Sequence, residues 1–132
     1  MIIQSPNILF NKGLIIKDPH ITRIFSGLKT WEIRGNNTKI RGEIFLIKSG
    51  SKCIFGKVNL VDSIKLDIDS FHINRDKHCL YDPSIIAPYP RTYAWVLENP
   101  VLFDEPIPYI HPKGAIIWVN LPVQLEGENN AF

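Results

Sequence analysis

The chain is poor in the residues from which staples and metal centres are built. It has two cysteines, Cys53 and Cys79, in 132 residues. They have no Cys-x-x-Cys spacing, which argues against a disulfide scaffold and a zinc site and makes a reducing cytoplasm the expected compartment. The adjacent His78 and Cys79 invite a metal or thiol chemistry. Neighbouring strand residues point apart, however, and no second His/Cys cluster completes a shell, because His72 is isolated and His20 falls in a helical pattern. No metal and no cofactor are therefore expected. No apolar run approaches the roughly 20 residues that cross a bilayer, so no membrane partner is expected either. The opening MIIQSPNILFNKG lacks a basic region, a long apolar stretch and a small-residue cleavage site, so no signal peptide is expected. Internal repeats and long low-complexity linkers are also missing.

What the chain does have is enough apolar sequence for one folded domain. Hydrophobic residues make up 45% and charged residues 21%, which excludes a disordered chain. The net charge of +2 hides an asymmetry. Residues 1–60 carry ten Lys/Arg against three Asp/Glu, and residues 61–132 carry five against ten. Such a split is expected where one part faces phosphate, although two ordinary solvated surfaces would give it too.

Residues 1–12 read as a lead-in. The continuous apolar run Gly13-Leu14-Ile15-Ile16-Lys17 predicts a short buried strand. Asp18 then caps a helix from Pro19 to about Ser26, with Ile21, Ile24, Phe25 and Leu28 at helical spacing and Gly27 as its stop. Strands are predicted over 30–34, 43–48, 53–60, 93–98 and 115–121, with turns at Gly35-Asn36-Asn37 and Ser49-Gly50-Ser51. Gly56 marks a bulge or a close approach of another backbone. Residues 61–83 are polar and mixed, with a short helix near 69–74. Residues 83–91 form a proline-rich loop, Pro106 and Pro108 keep their stretch extended, and 122–132 read as a flexible tail. The expected fold class is mainly β with helical decoration (α+β), as a small β-barrel; a split α+β sheet is the alternative.

The segment SGLKTWEIRGNNTKIRG, residues 26–42, sets Lys29, Glu32, Arg34, Lys39 and Arg41 around one tryptophan and two glycine turns. A core strand has no need of so many charges, whereas an anion-reading pocket does. Strand alternation puts Trp31 and Ile33 on one face and Thr30, Glu32 and Arg34 on the other. Lys29, between a helix end and a strand, can meet a phosphate or a carbonyl, or it simply suits the helix C-terminus. Glu32 can accept from a base edge or act as a general base, and Arg34 can grip phosphate or stack on a base. The same two residues can equally form a structural ion pair. Arg41-Gly42, with Lys39 nearby, offers charge and close backbone approach. Ser49-Gly50-Ser51 is either a small anion nest or a hairpin turn, with Ser49 assigned to the site and Ser51 to the turn. Trp31, Trp95 and Trp118 read as core, and Tyr93 can reach the cleft beside the proline-rich loop.

These pieces come in a telling order: Gly13-Leu14-Ile15-Ile16-Lys17-x-Pro19, then Ser26-Gly27-Leu28-Lys29-Thr30-Trp31-Glu32-Ile33-Arg34 and Arg41-Gly42. Later come Ser49-Gly50, Lys77-His78-Cys79, Tyr93-Ala94-Trp95-Val96-Leu97-Glu98-Asn99-Pro100 and Lys113-Gly114-Ala115-x-x-Trp118. Over about residues 13–121 the chain resembles an ASCH domain, a branch of the PUA-like superfamily. The Gly-x-Lys-Thr-x-Glu-x-Arg element is the most specific part of the match. The resemblance implies a PUA-like β-barrel with a ligand cleft beside the first helix, and RNA or a modified nucleoside or nucleotide as partner. Roles across the group include nucleic-acid binding, ribonuclease activity and, in one branch, deacetylation of N4-acetylcytidine. That branch resembles this chain at Lys29, its catalytic lysine, but has a threonine nucleophile where Glu32 stands. A carboxylate does not replace a hydroxyl as acyl acceptor, so amide hydrolysis here would run through water. Its assisting glutamate has only a loose counterpart in Asp76.

The expected function is thus an RNA- or nucleotide-binding module with a basic cleft lined by Lys29, Thr30, Glu32, Arg34, Lys39, Arg41, Ser49 and Tyr93. The alternative is a hydrolase acting on RNA or on an acylated nucleoside, with Lys29 and Glu32 as catalytic residues. A third possibility is a structural or regulatory domain without a ligand.

Overall fold

The computed structural model describes residues 10–86 and 88–122. Most of the expected lead-in and nearly all of the expected tail lie outside these residues. The first strand, β1 (Phe10–Ile16), starts three residues before the apolar run and is followed by helix α1 (His20–Phe25). The N-cap position is Pro19, which makes no side-chain cap bond, rather than the expected Asp18. Asp18, one residue earlier, still braces the first turn, its Oδ1 accepting from Thr22 Oγ1 at 2.6 Å and from Thr22 N at 3.3 Å. These bonds, followed by the ion pair with Lys48 Nζ at 3.1 Å, hold the Asp18 carboxyl below the usual carboxylate range. Six residues are too few for an isolated helix. The burial of Ile21 and Ile24 against the sheet stabilises α1, by roughly 1.5–3 kcal/mol for each side chain.

Strands β2 (Trp31–Arg34), β3 (Gly42–Lys48) and β4 (Cys53–Leu66) follow, then α2 (Ile68–Ile73), α3 (Arg75–His78), β5 (Thr92–Pro108) and β6 (Trp118–Pro122). They form one six-stranded sheet in the order β2-β5-β4-β3-β1-β6, in which β1 and β3 pair in parallel and every other pair is antiparallel. The fold is therefore mainly β with three short helices among the described residues. Of the expected small β-barrel the structure shows the β-rich sheet but not its closure: among the described ladders none joins β2 to β1 or β6. Only four residues long, β2 spends its pairing on β5, and on its other side a side chain takes the place of a ladder, as described below. No described helix is long and apolar enough to cross a membrane.

Two strands run longer than their sequences advertise. β4 continues through the polar residues to Leu66, and β5 runs seventeen residues through Pro100, Pro106 and Pro108. Pro100 and Pro106 are tolerated because the β4–β5 register shifts between Ile54 and Gly56 and again between Lys57 and Asn59, and Pro108 because it ends the strand. Gly56 sits at this crossing as a true close-approach glycine. A Cβ there would lie 2.1 Å from the Val101 carbonyl oxygen and 2.5 Å from the Phe25 ring.

The main core lies between α1 and the sheet, with Leu14, Ile16, Ile24, Leu46, Leu60 and Trp95 among its members. Trp31 and Ile33 face the other way, into a second cluster with Leu66, Phe71 and Ala94 beneath α2. The alternation expected for β2 holds, and it sends Glu32 and Arg34 towards β1.

Candidate functional site

Between α1, the β1 end, β2 and the loop after α3 lies a cavity of about 660 Å³. Lys29, Glu32 and Arg34 line it together with Lys17, His20 and Ser49, while Leu80, Ile85, Ile86, Tyr89, Ile116 and Ile117 are among its apolar walls. Its size falls within the roughly 300–1,000 Å³ of small-molecule sites, and apolar walls around a few polar groups are typical of them.

The polar groups are joined. Arg34 donates to Glu32 Oε2 from Nε at 3.0 Å and from Nη2 at 2.9 Å. Arg34 Nη2 also donates to the Ile15 carbonyl at 2.9 Å, and the guanidinium lies 5.5 Å from the centre of the Trp95 ring. The other Glu32 oxygen, Oε1, lies 3.7 Å from Lys29 Nζ, longer than a hydrogen bond. Lys29 itself is only 2% exposed and Glu32 only 6%. Lys29 Nζ donates to the backbone carbonyl of His78 at the end of α3. Burial pushes the Lys29 ammonium below the ordinary lysine pKa, and Glu32 opposes that shift.

His78 is a structural tie for the loop after α3. Its Nδ1 accepts from Leu80 N at 3.0 Å, so its Nε2 carries the hydrogen and donates to the Phe71 carbonyl at 2.7 Å. Its ring stacks on Phe71 at 4.1 Å. Cys79 turns elsewhere, with Sγ donating to the Leu28 carbonyl at 3.3 Å. Beside them Arg75 organises the cavity wall: its guanidinium donates to the carbonyls of Leu80, Asp82 and Ile85.

Four of the expected site residues lie away from this cavity. Thr30 lines a separate hollow of about 310 Å³ near Pro100, and its backbone extends the β2 pairing through Leu97 N. Lys39 is exposed on the loop between β2 and β3. Arg41 turns onto the Thr38 and Ile40 carbonyls and pairs with Asp62 at 3.7 Å, because the strand-entry turn directs it to the β4 side. Tyr93 packs against the main core. Asp76 is exposed and does not line the cavity. Ser51 Oγ donates to the Lys48 carbonyl and holds the turn.

The sequence reading missed His20. It lines the cavity, and its Nδ1 is buried without a hydrogen-bond partner among the described residues. Burial lowers its pKa, with Glu32 opposing and Lys29 adding to the shift. The signal was its spacing: His20 precedes buried Ile24 by four residues, on the same side of α1. The apolar wall from the loop and from residues 116–117 had no signal, since the Ile85-Ile86 and Ile116-Ile117 pairs meet only in space.

The family model of the ASCH domain matches residues 14–107 of this chain. Among solved structures, the chain is similar to an ASCH protein from Zymomonas mobilis, at 17% identity and a TM-score of 0.59, covering 74% of this chain and 73% of that one. It is also similar to a single-residue variant of that protein, at 16% identity and a TM-score of 0.65, covering 83% and 87%. Comparison with curated proteins gives no match.

Proposed function

The chain belongs to the ASCH domain family, and on that premise we propose that its cavity is a basic cleft that binds a nucleotide or single-stranded RNA through the base of one unit. One observation carries this reading. Glu32 Oε2 is taken by two Arg34 donors, while among the described residues Oε1 has only Lys29 at 3.7 Å, so a buried carboxylate oxygen remains as an acceptor in a cavity with apolar walls. An acceptor fixed from behind by a guanidinium suits the N–H groups on the Watson–Crick edge of a base. The isoleucines and Tyr89 supply surface for the flat faces of the ring. Lys17, Lys29 and Arg34 against Glu32 leave the lining net positive, as a phosphate requires. Ser49, on the turn after β3, adds a hydroxyl at the rim.

The test is titration of nucleoside monophosphates and short single-stranded RNA at low and high salt. Affinity that falls with ionic strength, drops sharply in Glu32→Gln and is lost in Arg34→Gln is the expected result. Absent binding, or binding indifferent to salt and to both substitutions, rejects the reading.

A second reading, hydrolysis of RNA or of an acylated nucleoside such as N4-acetylcytidine, is favoured by the depressed Lys29 pKa beside a carboxylate. Glu32 would then activate water while Lys29 stabilises developing charge. Purified protein assayed with chelator present on both substrates decides it. Turnover lost in Lys29→Ala and Glu32→Gln supports the reading, and turnover unchanged by both excludes these roles.

A further inference from the structure

A second cavity, of about 520 Å³, adjoins the first. Arg34, Tyr89 and Ile117 line both. Two of these shared residues, Tyr89 and Ile117, are 40% and 39% exposed, so the boundary between the hollows reaches the surface. An elongated ligand can therefore lie across both hollows.

The second cavity is built differently from the first. A pair of stacked tryptophans, Trp95 and Trp118, with ring centres 5.6 Å apart and planes 20° from parallel, contributes to its lining. Trp95 Nε1 donates to the Asn36 carbonyl at 3.0 Å, fixing the turn after β2 against the pair. Asn36 and Asn37 bring amide side chains, and exposed Arg91 brings a charge at the mouth. Trp95 is itself buried, so the half-buried Trp118 and the exposed Tyr89 are the aromatic surfaces on offer, and with the amides and a guanidinium around one hollow they suit a nucleobase with its phosphate. Two features of the boundary bear on how such units would be joined. Gly35 lets the Tyr89 ring rest on the end of β2, because a Cβ there would lie 3.0 Å from the ring. Arg34 is held by Glu32 and the Ile15 carbonyl through Nε and Nη2, and among the described residues Nη1 meets no acceptor.

We propose that this second cavity is a subsite for the neighbouring nucleotide, so that the occupant is a chain of at least two nucleotides whose linking phosphate lies against Arg34 at the boundary. The proposal rests on the reading of the first cavity as a nucleotide site and specifies its ligand: oligonucleotide rather than free nucleoside.

The experiment compares a nucleoside monophosphate with a dinucleotide of the same base, by calorimetry and by tryptophan fluorescence. Half-buried Trp118, stacked on the buried Trp95, lines the second cavity and is the reporter, whereas Trp31 belongs to the separate cluster beneath α2 and does not line it. The dinucleotide is expected to bind about tenfold or more tightly than the monophosphate, since each added base gains stacking without a new encounter. It alone should change the tryptophan emission. Arg91→Ala and Asn37→Ala, at exposed positions that leave the fold intact, are expected to bring dinucleotide affinity down to that of the monophosphate and to leave the latter where it was. Equal affinities for the two ligands, or dinucleotide binding untouched by both substitutions, overturn the second subsite while the first cavity stands. If neither ligand binds, the nucleotide reading of the first cavity fails and takes this proposal with it.

Discussion

Arg34 Nη2 donates to the Ile15 carbonyl at 2.9 Å, joining β2 to β1, two strands that share no described ladder. Ile15 N is bonded to the Ile117 carbonyl, just before β6 begins at Trp118. The Ile15 carbonyl is an acceptor left over beyond that strand's end, and the guanidinium fills it. The residue that orients Glu32 thus also spans the open side of the sheet, so site and fold are coupled through one side chain.

Replacing Arg34 should therefore damage both. Arg34→Gln is expected to lower stability by about 2–3 kcal/mol, below the cost of breaking a fully buried pair because Arg34 is partly exposed. Arg34→Lys keeps the charge but not the fork, and is expected to recover little of it. Denaturant unfolding of the three proteins measures this; a Lys variant as stable as the parent would show that charge alone matters.

Arg75 holds the wall of the cavity rather than its floor. Its contacts with the Leu80, Asp82 and Ile85 carbonyls depend on the planar guanidinium, which also lies 5.5 Å from the Phe71 ring centre. Arg75→Lys is expected to speed hydrogen exchange over 80–86 and to weaken nucleotide binding several-fold, with exchange in β3 and β4 unchanged. Uniformly faster exchange would mean that the residue serves global stability only.

Stability should fall on mild acidification. Burial, partly opposed by the bond to the Phe71 carbonyl, holds His78 below the ordinary histidine value of 6.5, and burial also lowers His20. Lys29 and Arg75 push His78 the same way, and Asp76 pushes it back. The unfolded chain takes up these protons near 6.5 and the folded chain only at lower pH. Between those points the unfolded state binds more protons, and stability drops as pH falls. Melting temperature should decline from neutral pH towards about pH 5, the unfolded-state histidine value marking its onset. His78→Gln, which cannot titrate, should flatten the slope. An unchanged or steeper slope in that variant would exclude His78 as a source.

Gly56→Ala is expected to be severe. The added methyl would meet the Val101 backbone oxygen at 2.1 Å, and a backbone atom in the middle of the longest strand pair cannot step aside. A loss of at least about 3 kcal/mol, or failure to fold, is expected. Gly50→Ala, with open space around it and a positive φ of 83°, should cost only about 1 kcal/mol. Thermal melts of the two variants side by side test the contrast.

Much of the fold was legible because its signals are local. The apolar run at 13–17, the helical spacing of Ile21 and Ile24, the alternation of Trp31 and Ile33 against Glu32 and Arg34, and the isolated Gly56 all reflect periodicity or sterics within a few residues. The lengths of β4 and β5 were not legible. Residues 61–66 read as polar and mixed, and the strand at 93–98 was given no continuation beyond an extended stretch at Pro106 and Pro108, yet each segment becomes strand because the other supplies backbone partners through a shifted register.

The residues alone determined the membership of this chain in its family, the order of its elements and the face of β2 that carries charge. Tertiary structure decided which charges share a cavity: Lys29, Glu32, Arg34 and Ser49 do, while Lys39 and Arg41 diverge. It also brought in His20 and the isoleucine walls. The physical reason is that side-chain direction along one strand follows from a two-residue period, whereas the meeting of β1, β2, the loop after α3 and residues 116–117 depends on packing between segments up to a hundred residues apart.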